Sequence, residues 1–269
     1  MGKSTKDQRD HFYRQGKQEG YRARSAYKLL QLDEHYGLFG GKPHALATQL
    51  AHDEKELVDL LGPIGHAVHA AIAQPTARPG YVIDLCAAPG SWSQVLSRSL
   101  SESGACIVAV DLQAMAPLDG VVQVVGDITT EATSEAVERA FIEAQTTTEV
   151  RKADLIVCDG APDVTGIQAL DEYVQSQLLM AAVSMAVRML RAHGTFLAKV
   201  FVHPEADSAR LLVAQLRRLF GHVELAKPSS SRASSAEHFV VCLDYTPIDT
   251  PLEKVQAAFL GDLQGYNEI

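Results

Sequence analysis

Short apolar segments alternate with helix-like segments between residues 81 and 245, and this alternation constrains the fold more than any other feature of the chain. The apolar segments are predicted to be strands at 81–86, 106–111, 121–126, 154–158, 195–201, 223–227 and 237–245. Helices are predicted between them at 91–100, 131–144, 168–192 and 205–220. Apolar strands that alternate with helices are typical of a parallel sheet covered on both faces. The sequence therefore predicts an α/β fold with a doubly wound, mostly parallel sheet and an antiparallel last strand.

Clusters of glycine and proline divide the rest of the chain. A helix is predicted from Ser25, acting as its N-cap, to Tyr36, with Gly37 as its stop. Leucines at helical spacing predict one or two further helices within 44–73. The predicted organisation is a basic arm and helix at 1–36, an inserted helical segment at 37–80, the α/β domain at 81–249 and a C-terminal extension at 250–269.

Charged residues stand at the carboxyl ends of the predicted strands, where ligands bind in doubly wound sheets. They are Asp84, Asp111, Asp127, Asp159 and Lys199. Glu237 opens the last predicted strand, and it reaches the same edge if that strand runs antiparallel. Lys28, in the predicted arm helix, adds a second lysine. Lysine is rarely buried without a partner. The set Lys28, Asp159, Lys199 and Glu237 therefore predicts a catalytic site that removes a proton from a weakly acidic group of the substrate.

The first strand-end loop, residues 84–92, has features of a nucleotide site. Gly90 lets a ligand approach the backbone, and Trp92 opens the next helix. Asp111 ends the following predicted strand about twenty residues later, the sequence spacing at which a carboxylate binds the hydroxyls of a ribose in nucleotide-binding folds. A GxGxxG loop is absent, which disfavours the alternative of an NAD-dependent oxidoreductase. The surrounding acids suit a positively charged ligand. S-adenosylmethionine is therefore the predicted cofactor, with Asp127 accepting from its adenine amino group.

The charge distribution indicates a polyanionic partner although the whole chain is acidic. Residues 1–28 contain eight basic and three acidic residues, a net charge of +5 in a chain of −9, so the remainder carries −14. Aromatic residues are interleaved with this charge at Phe12, Tyr13, Tyr21 and Tyr27. Such an arm can neutralise phosphates and stack on bases. A solvated, partly disordered tail is the alternative, and the continuity of the arm with Lys28 favours RNA binding.

Several classes of protein are disfavoured. The longest apolar run, residues 178–190, spans about 13 residues and is too short and too polar to cross a bilayer. No apolar signal stretch follows Met1, so a cytoplasmic protein is expected. The four cysteines form no CxxC pair and the ten histidines show no metal-ligand spacing, so no metal is predicted.

Two sequence motifs, together with the set Lys28, Asp159, Lys199 and Glu237, point to a known family. The motifs are Asp84-Leu-Cys-Ala-Ala-Pro-Gly-Ser-Trp-Ser-Gln and Asp159-Gly-Ala-Pro-Asp-Val-Thr-Gly. Together they resemble the FtsJ/RrmJ family of ribose 2′-O-methyltransferases. The resemblance implies a Rossmann-like class I fold that depends on S-adenosylmethionine, with catalysis by the set of four. It also implies cofactor contacts from Gly90, Trp92, Asp111, Asp127 and Asp159.

Tyr21-Arg-Ala-Arg-Ser-Ala-Tyr-Lys and Leu170-Asp-Glu-Tyr-Val-Gln further resemble the eukaryotic cytosolic tRNA branch of that family. This implies tRNA as the partner, anticodon-loop nucleotides 32 and 34 as targets, and auxiliary proteins of the helical-repeat and WD-repeat types. Ribosomal RNA, an mRNA cap, and a non-catalytic role as an RNA-binding adaptor stay open. Two segments depart from the family pattern. Residues 42–79 look inserted, and the loop from Val200 to Pro204 lacks the expected small and basic residues.

Lys199 is the predicted base for the 2′-hydroxyl group. An ordinary lysine is protonated at neutral pH, with a pKa of about 10.4. Nearby Lys28 and partial desolvation lower that pKa, whereas Asp159 and Glu237 raise it. The two carboxylates are therefore predicted to orient the two ammonium groups.

Overall fold

The computed structural model describes residues 5–40, 77–144, 151–161 and 168–247. Its helices are α1 (Thr5–Glu19), α2 (Ala26–Tyr36), α3 (Ser91–Leu100), α4 (Glu131–Ala144), α5 (Gln168–Met189) and α6 (Asp207–Leu216). Its strands are β1 (Tyr81–Leu85), β2 (Cys106–Asp111), β3 (Val121–Val125), β4 (Ala153–Cys158), β5 (Leu190–Phe201), β6 (Phe220–Ala226) and β7 (Glu237–Tyr245). The helices predicted within 44–73 and the extension at 250–269 lie outside the described residues.

The described strands form one sheet in the order β3-β2-β1-β4-β5-β7-β6. Strands β1 to β5 pair in parallel, whereas β7 runs antiparallel to both β5 and β6. This confirms the predicted doubly wound, mostly parallel sheet and its antiparallel last strand. Because β7 is reversed, its first residue lies beside the last residue of β5, and Glu237 is the register partner of Phe201.

Buried apolar side chains cover both faces of the sheet. The α4 and α5 face includes Val137, Phe141, Val183, Met185 and Met189. The α2 and α3 face includes Leu29, Leu32, Trp92, Val95 and Leu96. Successive strand residues alternate between the faces, so Ile83 packs on the first and Val82 on the second. Helix α2, which carries Lys28, is thus part of the core.

Two predicted boundaries are wrong, and strand pairing explains both. Strand β5 begins at Leu190, before the predicted residue 195, because Leu190 already pairs with Ala153 ahead of a register shift. The preceding helix consequently ends at Met189. Strand β6 begins at Phe220, which the sequence placed in a helix, because Phe220 is buried and pairs with Tyr245.

The N-terminus of α2 also differs from the prediction. Ser25 has helical backbone angles (φ −63°, ψ −20°), and its side chain makes no capping hydrogen bond. Its Oγ lies 2.6 Å from Ser91 Oγ instead, which connects α2 to the start of α3. The predicted stop is confirmed, since Gly37 has a φ of 63° and donates its N–H to the Asp33 carbonyl. Residues 5–19, for which a disordered tail was the alternative, form helix α1.

Candidate active site

Four polar side chains meet at the edge of the sheet where β4 and β5 end and β7 begins. We call them the Lys–acid cluster: Lys28, Asp159, Lys199 and Glu237. Lys28 Nζ lies 2.7 Å from Glu237 Oε2 and 3.9 Å from Asp159 Oδ1. Lys199 Nζ lies 3.1 Å from the same Asp159 oxygen. None of the four side chains is more than 15% exposed. The structure therefore brings together the four predicted residues.

Each member of the cluster comes from a different element. Lys28 projects from α2, and Asp159 directly follows β4. Lys199 lies two residues before the end of β5, where its Nζ also donates to the Asp159 main-chain oxygen at 2.6 Å. Glu237 is the first residue of β7. The parallel pairing of β4 with β5 and the reversal of β7 thus create the cluster.

Two further side chains support the cluster and were missed by sequence reasoning. Ser231 Oγ donates to Glu237 Oε1 at 2.7 Å, and Gln175 Nε2 donates to the Lys199 carbonyl at 3.1 Å. Burial alone would raise the pKa of Glu237, but the Lys28 charge and the hydrogen bonds from Lys28 and Ser231 lower it overall. Glu237 is therefore held as a carboxylate that can anchor the Lys28 ammonium group.

The predicted cofactor acids lie along the same edge. Asp111 Oδ2 accepts from the Ala88 N–H at 2.9 Å, and its Oδ1 accepts from the Gln113 N–H at 2.8 Å. Asp127 Oδ1 accepts from both the N–H and the hydroxyl of Thr129. A carboxylate oxygen has two lone pairs, so both acids retain acceptor capacity for hydroxyl or amino groups of a ligand.

The loop between β1 and α3 carries Gly90 in a left-handed conformation with a φ of 101°. A side chain there would be strained, and its Cβ would lie 2.5 Å from Arg22 Nη1 and 2.8 Å from Met115 Sδ. The backbone conformation therefore requires glycine at position 90. The side chains of Arg22 and Met115 occupy the space that a side chain there would need.

Comparison with known proteins identifies the family of the chain. Residues 21–245 match the FtsJ-like methyltransferase family. The chain belongs to the FtsJ-like methyltransferases. Two of its relatives are named tRNA (cytidine(32)/guanosine(34)-2′-O)-methyltransferase. The mouse protein is 45% identical over 92% of this chain, which spans 62% of that protein's length. The Schizosaccharomyces pombe protein is 41% identical over 99% of this chain and 86% of its own length.

A solved structure supports the fold assignment of this FtsJ-like methyltransferase. The crystal structure of a ribosomal RNA methyltransferase from Plasmodium falciparum matches it with a TM-score of 0.60, covering 85% of this chain and 100% of that one. At 21% identity the likeness shows the fold alone. In the parts of the chain that the structure describes, no helix has the length and apolar character to cross a bilayer, and no group of His, Cys, Asp and Glu could hold a metal ion.

Trp92 has the contacts of a core residue in this FtsJ-like methyltransferase. It is 2% exposed, its ring centroid lies 5.7 Å from that of Phe239, and its Nε1 donates to the Ser25 carbonyl at 2.9 Å. Its predicted contact with the cofactor stays a prediction. The observed contacts attach α3 to the start of α2, so Trp92 helps to hold the helix that carries Lys28.

Asp84 is a buried carboxyl group to which sequence reasoning gave no role beyond its place in the motif. It is 1% exposed, and Ser93 Oγ donates to its Oδ2 at 2.6 Å, while Oδ1 has no hydrogen-bond partner among the described residues. The pKa of Asp84 is raised to about 7: burial is the largest cause, the charges of Asp159 and Asp111 add to it, and the Ser93 hydrogen bond opposes it. Burial of the carboxyl group is therefore the main reason why its charge is disfavoured.

Arg22 attaches the arm to the loops of the predicted cofactor edge. Its Nη1 donates to the Pro89 carbonyl at 2.8 Å, and its Nη2 donates to the carbonyls of Ala116 and Pro117 at 2.8 and 2.9 Å. The Arg22 N–H also donates to Gln94 Oε1 at 2.7 Å. The sequence indicated only a basic arm. Three carbonyl partners from two loops mean that this guanidinium group organises protein backbone.

Proposed function

We propose that this chain is an S-adenosylmethionine-dependent ribose 2′-O-methyltransferase that acts on tRNA in the cytoplasm, at anticodon-loop nucleotides 32, 34 or both. The observation that carries the proposal is the Lys–acid cluster, in which the amino groups of two lysines and two carboxylates lie within 4 Å of one another in pairs at the ligand-binding edge of the sheet. Family membership and the names of the 41–45% identical relatives support the RNA and the nucleotides.

The strand-end acids fit the proposed cofactor. Asp111 and Asp127 would hold its ribose hydroxyls and adenine amino group, with Asp159 beside the reacting group. Gly90 lies in the loop after β1, the strand between β2, which ends at Asp111, and β4, which precedes Asp159. When bound, S-adenosylmethionine supplies a methyl group on a positively charged sulfur that leaves as a neutral thioether. An edge with several carboxylates and no diphosphate-binding loop suits that positive charge better than it suits a dinucleotide.

Lys199 is the proposed proton acceptor. Its Nζ, as the neutral amine, takes the proton of the ribose 2′-hydroxyl and becomes an ammonium group, while the oxygen forms its bond to the methyl carbon and the bond from that carbon to sulfur breaks. Two contacts with Asp159, one to the carboxylate at 3.1 Å and one to the main-chain oxygen at 2.6 Å, hold the amine in place. Asp159 is thereby the orienting group for Lys199.

Lys28 and Glu237 are proposed to position the hydroxyl and balance charge. Lys28 Nζ is bound to Glu237 at 2.7 Å and lies 3.9 Å from Asp159, so it can donate to the sugar oxygen on the side away from Lys199. Glu237 is held by Ser231, which fixes the carboxylate that in turn fixes Lys28. Positioning of this kind contributes much of the rate when the nucleophile is weak.

Auxiliary proteins of the helical-repeat and WD-repeat types are proposed to direct the enzyme to one nucleotide or the other. This rests on the family resemblance and on the acidic balance of the chain outside residues 1–28. Methylation by the purified chain, with and without each type of protein, measures their contribution.

Mass-spectrometric mapping of methylated nucleosides in tRNA incubated with the purified chain and S-adenosylmethionine tests the proposal. We expect Lys199→Ala to lower methyl transfer by about 100-fold or more, because it removes the proton acceptor. Cofactor affinity in the same variant should stay near that of the wild type. Lys152→Ala, at an exposed lysine before β4, is the matched control and should transfer methyl groups normally. Substantial turnover by Lys199→Ala would remove Lys199 from the mechanism.

A further inference from the structure

Phe201 is an exposed aromatic residue beside the Lys–acid cluster. It ends β5, it is 40% exposed, and its register partner in β7 is Glu237. Alternate residues of a strand share a face, and so do register partners, so Lys199, Phe201, Glu237 and Phe239 lie on the same face of the sheet. This is the face that α2 covers, and the phenyl ring of Phe201 extends the cluster outward to solvent.

Two phenyl rings contact the lysines of the cluster. Lys28 Nζ lies 5.7 Å from the ring centroid of Phe239, which is fully buried. Lys199 Nζ lies 5.9 Å from the ring centroid of Phe201, which is open. Both distances are within the range of a cation–π contact. The buried ring completes the core, whereas the open ring leaves one aromatic face available next to the proposed proton acceptor.

The chain after Lys199 offers few other contacts to an RNA. No lysine or arginine occurs between Lys199 and Arg210, so this segment has no permanently cationic side chain to neutralise phosphates. What it presents at the cluster is the apolar ring of Phe201. An exposed ring lacks the favourable free energy that comes from removing apolar surface from water. Aromatic rings at nucleic-acid sites gain this free energy when bases stack on them.

We propose that Phe201 is a stacking surface for a nucleobase of the RNA substrate, the base of the target nucleotide or of its immediate neighbour; this rests on the proposed function. In a nucleotide the base is attached to C1′ and the reacting hydroxyl to the adjacent C2′. A group that stacks on the base must therefore lie close to the group that accepts the hydroxyl proton. The spacing of 5.9 Å between Lys199 Nζ and the Phe201 ring satisfies this condition.

A comparison of Phe201→Leu with Phe201→Tyr separates stacking from packing. Leucine keeps an apolar side chain and removes the aromatic face, whereas tyrosine keeps the face. We expect Phe201→Leu to raise the KM for tRNA about 5- to 150-fold, the range for losing one base–aromatic stack, with kcat and cofactor affinity nearly unchanged. Phe201→Tyr should keep a KM for tRNA near that of the wild type. Val122→Ala, at an exposed residue of the distant edge strand β3, is the matched control.

Equilibrium binding of an anticodon stem-loop RNA to the same four proteins keeps this inference separate from the proposed function. Weaker binding by Phe201→Leu alone supports stacking. Equal RNA affinity in all the proteins, or equal loss in the leucine and tyrosine variants, overturns it. If the wild type binds the RNA but transfers no methyl group, the proposed function fails while the affinities still decide whether Phe201 stacks.

Discussion

Asp159 Oδ1 lies 3.1 Å from Lys199 Nζ and 3.9 Å from Lys28 Nζ, so a single oxygen contacts both ammonium groups. The two lysines cannot be placed so close without a shared negative partner, since like charges repel. Glu237 supplies the second negative charge. Of the two lysines it pairs with Lys28, whose Nζ lies 2.7 Å from Glu237 Oε2. The roles of the acids therefore differ: Asp159 links the lysines, and Glu237 anchors one of them.

Glu237→Gln tests the anchoring role. Glutamine keeps the shape of the side chain but removes the charge that holds Lys28, so we expect methyl transfer to fall by about 100-fold while cofactor affinity stays unchanged. Single-turnover methylation of tRNA measures the first quantity, and cofactor titration measures the second. Glu135→Gln, on the distant helix α4, is the control. Full activity in Glu237→Gln would mean that Lys28 needs no anchor.

Asp84 makes a pH-dependent contribution to stability. Its folded pKa of about 7 lies above the ordinary value of 3.8, so the folded chain keeps a proton that the unfolded chain has released between those values. The free energy of unfolding should therefore fall as the pH rises through this window, by about 1 kcal/mol for each pH unit. Because asparagine cannot ionise, Asp84→Asn should lack this fall in the free energy of unfolding.

Urea denaturation of the wild type and Asp84→Asn at pH 5 and pH 8 measures the effect. The variant should gain stability relative to the wild type at the higher pH. A difference between the two proteins that does not change with pH would show that Asp84 is ionised over the whole range.

Helices α2 and α3 are the elements that connect the cluster to the cofactor edge. Trp92 of α3 donates to the Ser25 carbonyl, and the Ser25 and Ser91 hydroxyls lie 2.6 Å apart. Just before α2, Arg22 binds the loops at Pro89 and at Ala116. The element that carries Lys28 is therefore attached to the loop that carries Gly90, and a change in one is expected to alter the other.

Arg22→Gln tests this connection. The variant loses hydrogen bonds from a charged donor to three carbonyls, so we expect cofactor affinity to fall by about 10-fold in the absence of RNA. Calorimetric titration with S-adenosylmethionine measures it. Lys17→Gln, an exposed arm residue whose Nζ lies over the Tyr13 ring, is the matched control and should bind cofactor normally. Normal cofactor binding by Arg22→Gln would show that these hydrogen bonds do not support the cofactor site.

The whole molecule has a divided charge. Residues 1–28 carry a net charge of +5 and the remainder carries −14, so the positive charge is concentrated on one part of the chain. The described part of the arm is a helix that packs on the core through Phe12 and Tyr27, whose ring centroids are 5.4 Å apart. Helix α1 thus packs on α2, the helix that carries Lys28, and exposed cations such as Lys17 are the ones that would bind phosphates of the proposed RNA substrate.

The salt dependence of tRNA binding tests this distribution of charge. We expect Lys17→Gln to reduce the slope of log affinity against log salt by about 1, as for the loss of one phosphate contact. Arg139→Gln, on α4 across the sheet, should leave the slope unchanged. Binding curves at several salt concentrations give both slopes, and identical slopes in all the proteins would exclude Lys17 from the RNA interface.

The sequence by itself determined the strand–helix alternation, the reversed last strand and the membership of the Lys–acid cluster. The alternation and the places of Asp159 and Lys199 follow from local patterns, because a residue at the end of a parallel strand reaches a known edge whatever the rest of the chain does. The place of Glu237 depended in addition on the reversed strand, and the role of Lys28 depended on the family resemblance. The helix stop at Gly37 was equally local, since the backbone there needs a positive φ.

Only the tertiary structure decided how the remaining side chains are used. Ser25 contacts Ser91, Arg22 binds three carbonyls, Asp84 is buried with one oxygen unpartnered, and Phe201 is left exposed. The partners of Ser25 and Arg22 are 66 to 95 residues away in the sequence. Contacts of that kind depend on how helices pack on the sheet, and hydrophobic periodicity carries no information about which polar atoms then meet.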